Sequence, residues 1–233
     1  MADTPLLLLL HGLGATGAVW DAVVADWPGE HLAPDLPGHG QAAPLAHYSF
    51  GTLAAAVAAQ VPADRDVVVV GHSLGGVLAL TLASGWFRVR VRAAVGLGIK
   101  VRWTEEELAK TAELATRPAR VFATEEEAVD RHLKVSGLAG LVAADSAAAR
   151  TGVVAVDGGW GLALDAGAFA VGAPDVPGLL AVAKCPVTLA TGEQDPISPV
   201  AHLRELVAEP VVIPGAGHNP HVQAPGAVLE LLG

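Results

Sequence analysis

A serine stands where the surrounding residues could make it a nucleophile. Residues 67–76 read Val-Val-Val-Val-Gly-His-Ser-Leu-Gly-Gly, so Ser73 lies between an apolar run typical of a buried strand and a segment with helical spacing. Gly71 and Gly75 remove side chains that would collide in a sharp strand-to-helix turn, and glycine tolerates the torsions that such a turn needs. At the helix start, the free N–H group of Leu74 and the helix dipole could stabilise an oxyanion.

A serine hydroxyl is a weak nucleophile at neutral pH, so it needs a base, and the base needs an acid that orients it. Residues 191–196 (Thr-Gly-Glu-Gln-Asp-Pro) follow an apolar run and supply Asp195. Residues 214–219 (Pro-Gly-Ala-Gly-His-Asn) follow the next apolar run and supply His218 as the general base. Glu193 is the alternative acid, two positions before the favoured Asp195.

Three further histidines lie near these segments. His221 misses the glycine-flanked turn that holds His218, and we interpret it as a solvated or hydrogen-bonded loop residue. His72 and His39 are interpreted as structural. We expect no metal site at the pair His218 and His221, and no cofactor.

The strand, the Gly-x-Ser-x-Gly turn and the helix, with an acid and a histidine in later loops, resemble the α/β-hydrolase family. The resemblance covers nearly the whole chain except an insertion after Ile99. It implies a second oxyanion donor, the backbone N–H of Leu13, because residues 11–14 (His-Gly-Leu-Gly) follow the first strand. In some members the acid follows the strand that ends here near Ile99, but residues 100–102 (Lys-Val-Arg) contain no carboxylate, which favours Asp195.

The resemblance implies a serine hydrolase that cleaves a carboxylic ester or similar acyl substrate through an acyl-enzyme on Ser73, most simply a carboxylesterase. A serine nucleophile argues against the aspartate-based chemistry of haloalkane dehalogenases and epoxide hydrolases. An enol-lactonase or a carbon–carbon bond hydrolase could use the same three residues, and the motif cannot separate them. A non-enzymatic receptor for a small ligand is the alternative from another class.

The elements that position these residues alternate between strand and helix, which favours an α/β fold. We predict a mostly parallel sheet of about six strands with helices on both faces. The predicted strands are residues 6–10, 31–34, 67–70, 93–99, 186–190 and 211–213. The predicted helices are residues 18–27, 50–61, 74–86, 199–207 and 225–232. Members of the family commonly begin with an antiparallel hairpin, and here the first predicted strand already leads into residues 11–14. We therefore expect the sheet to be shortened at its N-terminal side. The short strand at residues 31–34 would then lie near an edge, where a second copy of the chain could cover it in a homodimer.

The alternation stops over residues 100–183, which we predict to be a helical lid inserted into a hydrolase core formed by residues 1–99 and 184–233. Residues 104–115 and 124–134 have helical patterns, and each begins with a threonine followed three positions later by glutamate, as in a capping box. Trp103, Trp160 and Phe169 are the large aromatic residues expected to line a substrate pocket under this lid.

Composition limits the binding partners, disulfide bonds and cellular location that we expect for this chain. The 233 residues carry a formal net charge of −10, which would repel nucleic acid and anionic membrane surfaces, so a small-molecule substrate is the expected partner. Cys185 is the single cysteine, and no internal disulfide can form. The apolar run at residues 6–10 is too short for a signal peptide and has no basic residue before it, which predicts a cytoplasmic protein.

Overall fold

The computed structural model describes residues 4–232, in which six parallel strands form one sheet. The strands are β1 (Leu6–Leu10), β2 (His31–Leu32), β3 (Asp66–His72), β4 (Arg90–Leu97), β5 (Val153–Val156), β6 (Gly159–Leu162), β7 (Val187–Gly192) and β8 (Val211–Ile213). The order in the sheet is β2-β1-β3-β4-β7-β8, and β5 and β6 form a separate hairpin. The predicted six-stranded α/β fold is confirmed.

The helices are α1 (Asp21–Val24), α2 (Phe50–Ala58), α3 (Leu74–Ala83), α4 (Glu105–Ala115), α5 (Glu125–Val135), α6 (Ala147–Arg150), α7 (Val176–Val182), α8 (Val200–Leu203), α9 (Pro220–Gln223) and α10 (Pro225–Glu230). Two 3-10 helices lie at Gly17–Trp20 and Ala166–Val171. The predicted helix at residues 18–27 is thus split between a 3-10 turn and α1, and the predicted helix at 199–207 is regular only over α8.

Burial explains why β1 is a run of five leucines without alternation. Side chains of a strand point alternately to the two faces of the sheet, and helices cover both faces here. Leu8 belongs to a buried cluster that includes Leu53 of α2 and Leu78 of α3. Leu9 belongs to a second cluster that includes Trp20 on the opposite face. Both faces of the strand are therefore core.

The insertion contains the two predicted helices. α4 begins with a full capping box, because Thr104 accepts from the Glu107 N–H and Glu107 accepts from the Thr104 N–H. At α5, Thr124 caps the helix but Glu127 accepts from the Ala123 N–H, so the box is incomplete.

The insertion also contains the antiparallel hairpin of β5 and β6, neither of which is among the predicted strands. Gly158, with φ of +81°, stands in the turn. Most residues of β5 are exposed, so the segment lacks the buried apolar run that identifies a core strand. Its strand conformation depends on cross-strand pairing, which residue types alone reveal poorly.

Hydrogen bonds tie the insertion to the loop before α2. The Gly40 N–H donates to the Ala163 carbonyl, and the Asp165 N–H donates to the Gly38 carbonyl at 2.7 Å. The Tyr48 hydroxyl donates to Asp165 Oδ2 at 2.7 Å. At the other end of the insertion, α7 packs on α3. The insertion is thereby anchored on two sides of the nucleophile.

Within residues 4–232, the structure has no helix that combines the length and the apolar character needed to cross a membrane.

Candidate active site

Ser73 occupies the turn between β3 and α3. It is the N-cap of α3 with φ of 50° and ψ of −111°, a conformation that L-residues avoid and that costs about 1–3 kcal/mol. Its N–H donates to the Leu97 carbonyl at 2.8 Å, and its own carbonyl accepts from the Val77 N–H in the first turn of α3. The ends of β4 and α3 therefore hold the strained backbone in place.

The flanking glycines are required by close backbone packing. A Cβ at Gly71 would lie 1.9 Å from the Gly75 carbonyl oxygen. A Cβ at Gly75 would lie 2.1 Å from the carbonyl oxygen of Leu10, at the end of β1. Backbone atoms cannot move aside as a flexible side chain can, so only glycine lets the helix start so close to the sheet.

Asp195 and His218 meet after the carboxyl ends of β7 and β8. His218 Nδ1 lies 2.9 Å from Asp195 Oδ2, and the Asp195 side chain is fully buried. Oδ1 of the same carboxylate accepts from the N–H groups of Ile197 and Ser198 at 2.8 and 3.0 Å. The carboxylate is thus fixed by the backbone on one side and faces the imidazole on the other.

The charge state of Asp195 follows from these contacts. Burial by itself would raise the pKa of the carboxyl, but the hydrogen bond to His218, the charge of that histidine and the two backbone N–H groups outweigh burial and lower the pKa below its usual range. Asp195 is therefore ionised at neutral pH. An ionised carboxylate orients Nδ1–H toward itself and stabilises an imidazolium.

Glu193, the alternative acid, points elsewhere. Its Oε2 accepts from the Gly215 N–H at 2.9 Å, and this bond holds the turn that precedes His218.

The contact between Ser73 and His218 is open in this conformation. Among residues 4–232, neither Ser73 Oγ nor His218 Nε2 has a hydrogen-bond partner. Gly98 lies close to the backbone that holds both residues. It follows Leu97, whose carbonyl accepts from the Ser73 N–H, and a Cβ on Gly98 would be 3.4 Å from Asp195 Oδ2 and from the His218 carbonyl oxygen. Hydrogen bonds of this kind often close only when substrate is bound.

His72 forms a hydrogen bond with the backbone of the loop that carries His218. Its Nε2–H donates to the His218 carbonyl at 2.7 Å, and its ring lies 4.7 Å from the His218 ring and 4.4 Å from that of His221. Burial, followed by the charges of His221 and His218, lowers the pKa of His72 well below its usual value, so the ring is neutral. His221 lies in α9, where it is fully buried and neither ring nitrogen has a hydrogen-bond partner among the described residues, so the interpretation as a solvated or hydrogen-bonded loop residue is wrong.

His11 holds the loop that carries Leu13. Its Nδ1–H donates to the Gly12 carbonyl at 2.8 Å, while Nε2 accepts from the Leu36 N–H at 2.9 Å. The two bonds define one neutral tautomer, and burial lowers its pKa well below the usual value. Sequence reasoning quoted His11 only as part of a motif and missed this positioning role.

Leu13 and Leu74 both border the cavity at Ser73. In the described part of the chain, neither of their backbone N–H groups has a protein acceptor.

The cavity beside Ser73 is small and mostly apolar. Its volume is about 80 Å³. The lining residues are Leu13, Phe50, Ser73, Leu74, Val77, Lys100, Trp103, Thr111, Phe169, Val171, Gly172 and Pro174. Trp103 and Phe169, predicted as pocket residues, are among them.

Trp160 is not among the lining residues. It lies in β6, where its N–H and carbonyl pair with the backbone of Phe122 at 2.9 and 2.8 Å. Strand pairing therefore determines its position.

Lys100 is a cationic residue that lines the cavity. The sequence analysis used its segment only to exclude a carboxylate after Ile99 and did not predict that Lys100 lines the cavity. Its ammonium forms an ion pair with Glu107 and lies 4.7 Å from the Trp103 ring centre. The ion pair neutralises the charge and joins the cavity wall to the first turn of α4.

Among the described residues, the structure shows no group of three or more histidine, cysteine or acidic side chains that could hold a metal ion. The expectation of catalysis without a metal or cofactor stays a prediction.

Comparisons with known proteins agree with this architecture. The pimeloyl-(acyl-carrier protein) methyl ester esterase of Methylococcus capsulatus is 40% identical over 82 residues, which are 34% of this chain and 31% of that protein. Matches of this kind span about a third of the length of the curated relatives.

Two solved structures share the fold over nearly the whole chain. E-2-(acetamidomethylene)succinate hydrolase matches with a TM-score of 0.79 at 23% identity, covering 99% of this chain and 91% of that chain. The thioesterase domain from the curacin biosynthetic pathway matches with a TM-score of 0.78 at 22% identity, covering 98% and 90%. At these identities the likeness concerns the fold alone.

The model of the family described as "Alpha/beta hydrolase family" matches residues 7–231. This range includes every strand of the sheet except the first residue of β1, together with Ser73, Asp195 and His218. The chain therefore belongs to the α/β-hydrolase family.

Proposed function

We propose that the chain is a serine hydrolase that cleaves a carboxylic ester or related acyl substrate through a covalent acyl-enzyme on Ser73. The observation that carries this proposal is the position of Ser73. It is held at a strained helix N-cap on the wall of an apolar cavity, at the same end of the sheet as the hydrogen-bonded pair of Asp195 and His218.

Acylation would begin when substrate closes the open contact between Ser73 Oγ and His218 Nε2. The imidazole accepts the hydroxyl proton while the oxygen attacks the carbonyl carbon of the ester. Asp195 stabilises the imidazolium through Nδ1–H. The Leu13 and Leu74 N–H groups donate to the tetrahedral oxyanion, and neither has to give up a protein acceptor to do so.

Collapse of the tetrahedral intermediate expels the alcohol, which takes the proton from His218 Nε2. Water then attacks the acyl-enzyme with His218 again as base, and the acid product leaves Ser73 free. No step requires a group that this chain does not supply.

The cavity favours a small acyl group. Its volume of about 80 Å³ is below the roughly 150 Å³ of an engineered protein cavity that binds benzene. An apolar wall also favours a hydrocarbon chain over a polar one. The relative named as a methyl ester esterase supports the ester class and carries no argument for the size of the acyl group.

The test combines turnover with labelling. The protein is expected to hydrolyse p-nitrophenyl acetate and butyrate, and a fluorophosphonate should label Ser73 and stop the reaction. Ser73→Ala should remove the label and lower kcat by about 10⁶-fold, as in other serine triads. Circular dichroism of the variant provides the folding control.

Labelling of another residue, or turnover retained by Ser73→Ala in a contaminant-free preparation, would contradict the proposal. Lactones and β-diketones in the same substrate panel address the lactonase and carbon–carbon hydrolase alternatives. A higher kcat/KM for either class than for every ester would replace the esterase proposal. Absence of turnover together with absence of labelling would favour a receptor.

A further inference from the structure

A second cavity of about 370 Å³ lies in the insertion, and three arginines line it. Arg117 and Arg120 follow α4, and Arg131 lies on α5. Apolar side chains form most of the remaining wall. They are Leu114, Pro118, Ala119, Phe122, Val135, Leu162, Leu164, Ala166 and Phe169.

This arginine cavity shares a wall with the cavity at Ser73. Phe169 lines both cavities. On α4, Thr111 lines the Ser73 cavity and Leu114, three residues later and so on the same helix face, lines the arginine cavity. The two spaces therefore follow one another along the seam between α4 and the 3-10 helix Ala166–Val171.

A separate contact places the arginine cavity next to the loop that carries Leu13. A Cβ on Gly14 would lie 2.9 Å from a methyl carbon of Val135, and Val135 lines the arginine cavity. Leu13, the preceding residue, lines the Ser73 cavity. A molecule whose carbonyl group reaches the Leu13 N–H thus has the arginine cavity as its near neighbour.

The charge of the arginine cavity is poorly neutralised. Arg117 forms an ion pair with Glu113, one turn earlier on α4. Arg120 stacks over Phe122, with 4.7 Å from its guanidinium carbon to the ring centre. Within residues 4–232, neither Arg120 nor Arg131 has an acidic partner. Both side chains are exposed, so their charges are accessible to a ligand that enters the cavity from solvent.

We propose that this arginine cavity binds an anionic group, a carboxylate or a phosphate, on the part of the substrate remote from the bond that Ser73 cleaves. The inference rests on the proposed function and adds a substrate class to it. Arginine suits such a group because its planar guanidinium can donate two parallel hydrogen bonds to carboxylate or phosphate oxygens. The apolar wall between the arginines and Phe169 would take the carbon chain that links the anion to the ester.

Two sources of the anion are distinguished by paired substrates that differ in charge. A terminal carboxylate on the acyl chain is tested with the mono-p-nitrophenyl ester of adipic acid against p-nitrophenyl hexanoate. A phosphate on the leaving group is tested with butyryl-coenzyme A against butyryl-N-acetylcysteamine. For each pair, the measured quantity is the ratio of kcat/KM for the anionic substrate to kcat/KM for the neutral one.

At least one ratio is expected to exceed one in the wild type and to fall as salt screens the charges. Arg120→Gln and Arg131→Gln should each lower that ratio about fivefold, in keeping with a partly exposed ion pair. Arg120→Lys should lower the ratio less than Arg120→Gln does, because lysine keeps the positive charge but cannot donate two parallel hydrogen bonds. Arg150→Gln is the matched control, because Arg150 is an exposed insertion residue outside both cavities, and it should leave the ratio unchanged.

A preference for adipate would locate the anion on the acyl chain, and a preference for coenzyme A would locate it on the leaving group. The inference is overturned if both ratios stay at or below one, or if a ratio above one is insensitive to the substitutions at Arg120 and Arg131. Hydrolysis of the neutral esters with labelling of Ser73 tests the proposed function independently. If the neutral esters are hydrolysed and Ser73 is labelled while both ratios stay at or below one, only the anion site is rejected and the proposed function stands.

Discussion

At the scale of single residues, the carboxylate of Asp195 has the clearest task. Its Oδ1 is held by two backbone N–H groups, so its Oδ2 is fixed toward His218 Nδ1. An amide at this position would present either an oxygen or an NH₂ group to the imidazole. The NH₂ group selects the tautomer that protonates Nε2 and blocks the base.

Asp195→Asn should therefore lower kcat for p-nitrophenyl butyrate by about 10⁴-fold with little change in the far-UV circular dichroism spectrum. Glu193→Gln is the matched control. Its carboxylate binds the Gly215 N–H rather than the imidazole, and an amide oxygen can replace that acceptor, so kcat should change little. The reverse ranking of the two variants would assign the orienting acid to Glu193.

The burial of His221 makes the free energy of unfolding depend on pH. Both of its ring nitrogens are buried without a hydrogen-bond partner among the described residues, and its ring packs 4.6 Å from Trp20. Burial, with a smaller effect of the His218 charge, lowers its pKa from 6.5 to about 3 in the folded state. The unfolded chain binds the proton more readily, so stability is highest above pH 6.5 and falls as pH decreases toward 3.

From His221 alone, the free energy of unfolding should decrease by about 2 kcal/mol between pH 7.5 and pH 5. His221→Leu removes this titration, so urea denaturation at the two pH values should give a smaller difference for the variant than for the wild type. His47→Gln changes an exposed loop histidine and should keep the wild-type difference. Equal pH dependence of His221→Leu and wild type would contradict the argument.

At the scale of elements, the Ser73 cavity is closed by one side of α4 and by the 3-10 helix Ala166–Val171. Phe169 separates this cavity from the arginine cavity because it lines both. Removing its ring should join the two spaces, so we predict that this one side chain limits the length of acyl chain that the Ser73 cavity accepts.

Phe169→Ala should raise the ratio of kcat/KM for p-nitrophenyl octanoate to that for the butyrate by about tenfold, which corresponds to about two more buried methylenes at about 0.8 kcal/mol each. Trp160→Ala is the control, because Trp160 lies outside the Ser73 cavity, and it should change the rates for all chain lengths together. An equal effect of Phe169→Ala on every ester would show that the ring supports the lid without selecting the substrate.

The elements that sequence predicted best are those with strong local signals. β1 and residues 67–70 of β3 are uninterrupted apolar runs, and the glycines around Ser73 specify the turn between β3 and α3, so their positions needed no knowledge of the rest of the fold. The Thr104 capping box fixed the start of α4 in the same way.

Other features depend on contacts between distant residues and could not be predicted. The hairpin of β5 and β6 is mostly exposed, and Trp160, whose backbone pairs with Phe122, does not line the Ser73 cavity. The arginine cavity brings together residues 117–131 and 162–169, which share no sequence pattern. The open contact between Ser73 and His218 likewise depends on the placement of two loops.

At the scale of the whole molecule, the insertion is part of the folded body rather than a free flap. Leu133 of α5 and Ala149 of α6 belong to the same buried cluster as Leu7 and Leu9 of β1. Val176 of α7 joins another cluster with Leu80 of α3. Movements that admit substrate are therefore expected in the side chains of Trp103 and Phe169, which line the Ser73 cavity and belong to none of the buried clusters, rather than in the insertion as a unit.

A side-chain hydrogen bond between the insertion and the core is formed by the Tyr48 hydroxyl, which donates to Asp165 Oδ2 and accepts from the Leu45 N–H. Burial and the hydrogen bond to Asp165 raise the pKa of Tyr48 to about 12, so the phenol keeps its proton and stays a donor at every ordinary pH. Tyr48→Phe keeps the ring, which packs against Gly167, but leaves the carboxylate and the N–H without this partner.

The free energy of unfolding of Tyr48→Phe should be lower by about 2 kcal/mol, the contribution typical of a hydrogen bond to a charged group. Asp165→Asn should lose at least as much, because the two carboxylate oxygens accept from the Tyr48 hydroxyl and from the Gly167 N–H, and an amide keeps only one of these acceptors. Urea denaturation at pH 7 and pH 9 measures both variants, and the Tyr48→Phe loss should be the same at the two values because the phenol does not ionise between them. If Tyr48→Phe is as stable as the wild type, the hydroxyl does not hold the insertion, which must then depend on apolar packing and on the other hydrogen bonds to the core, such as that of the Gly40 N–H to the Ala163 carbonyl.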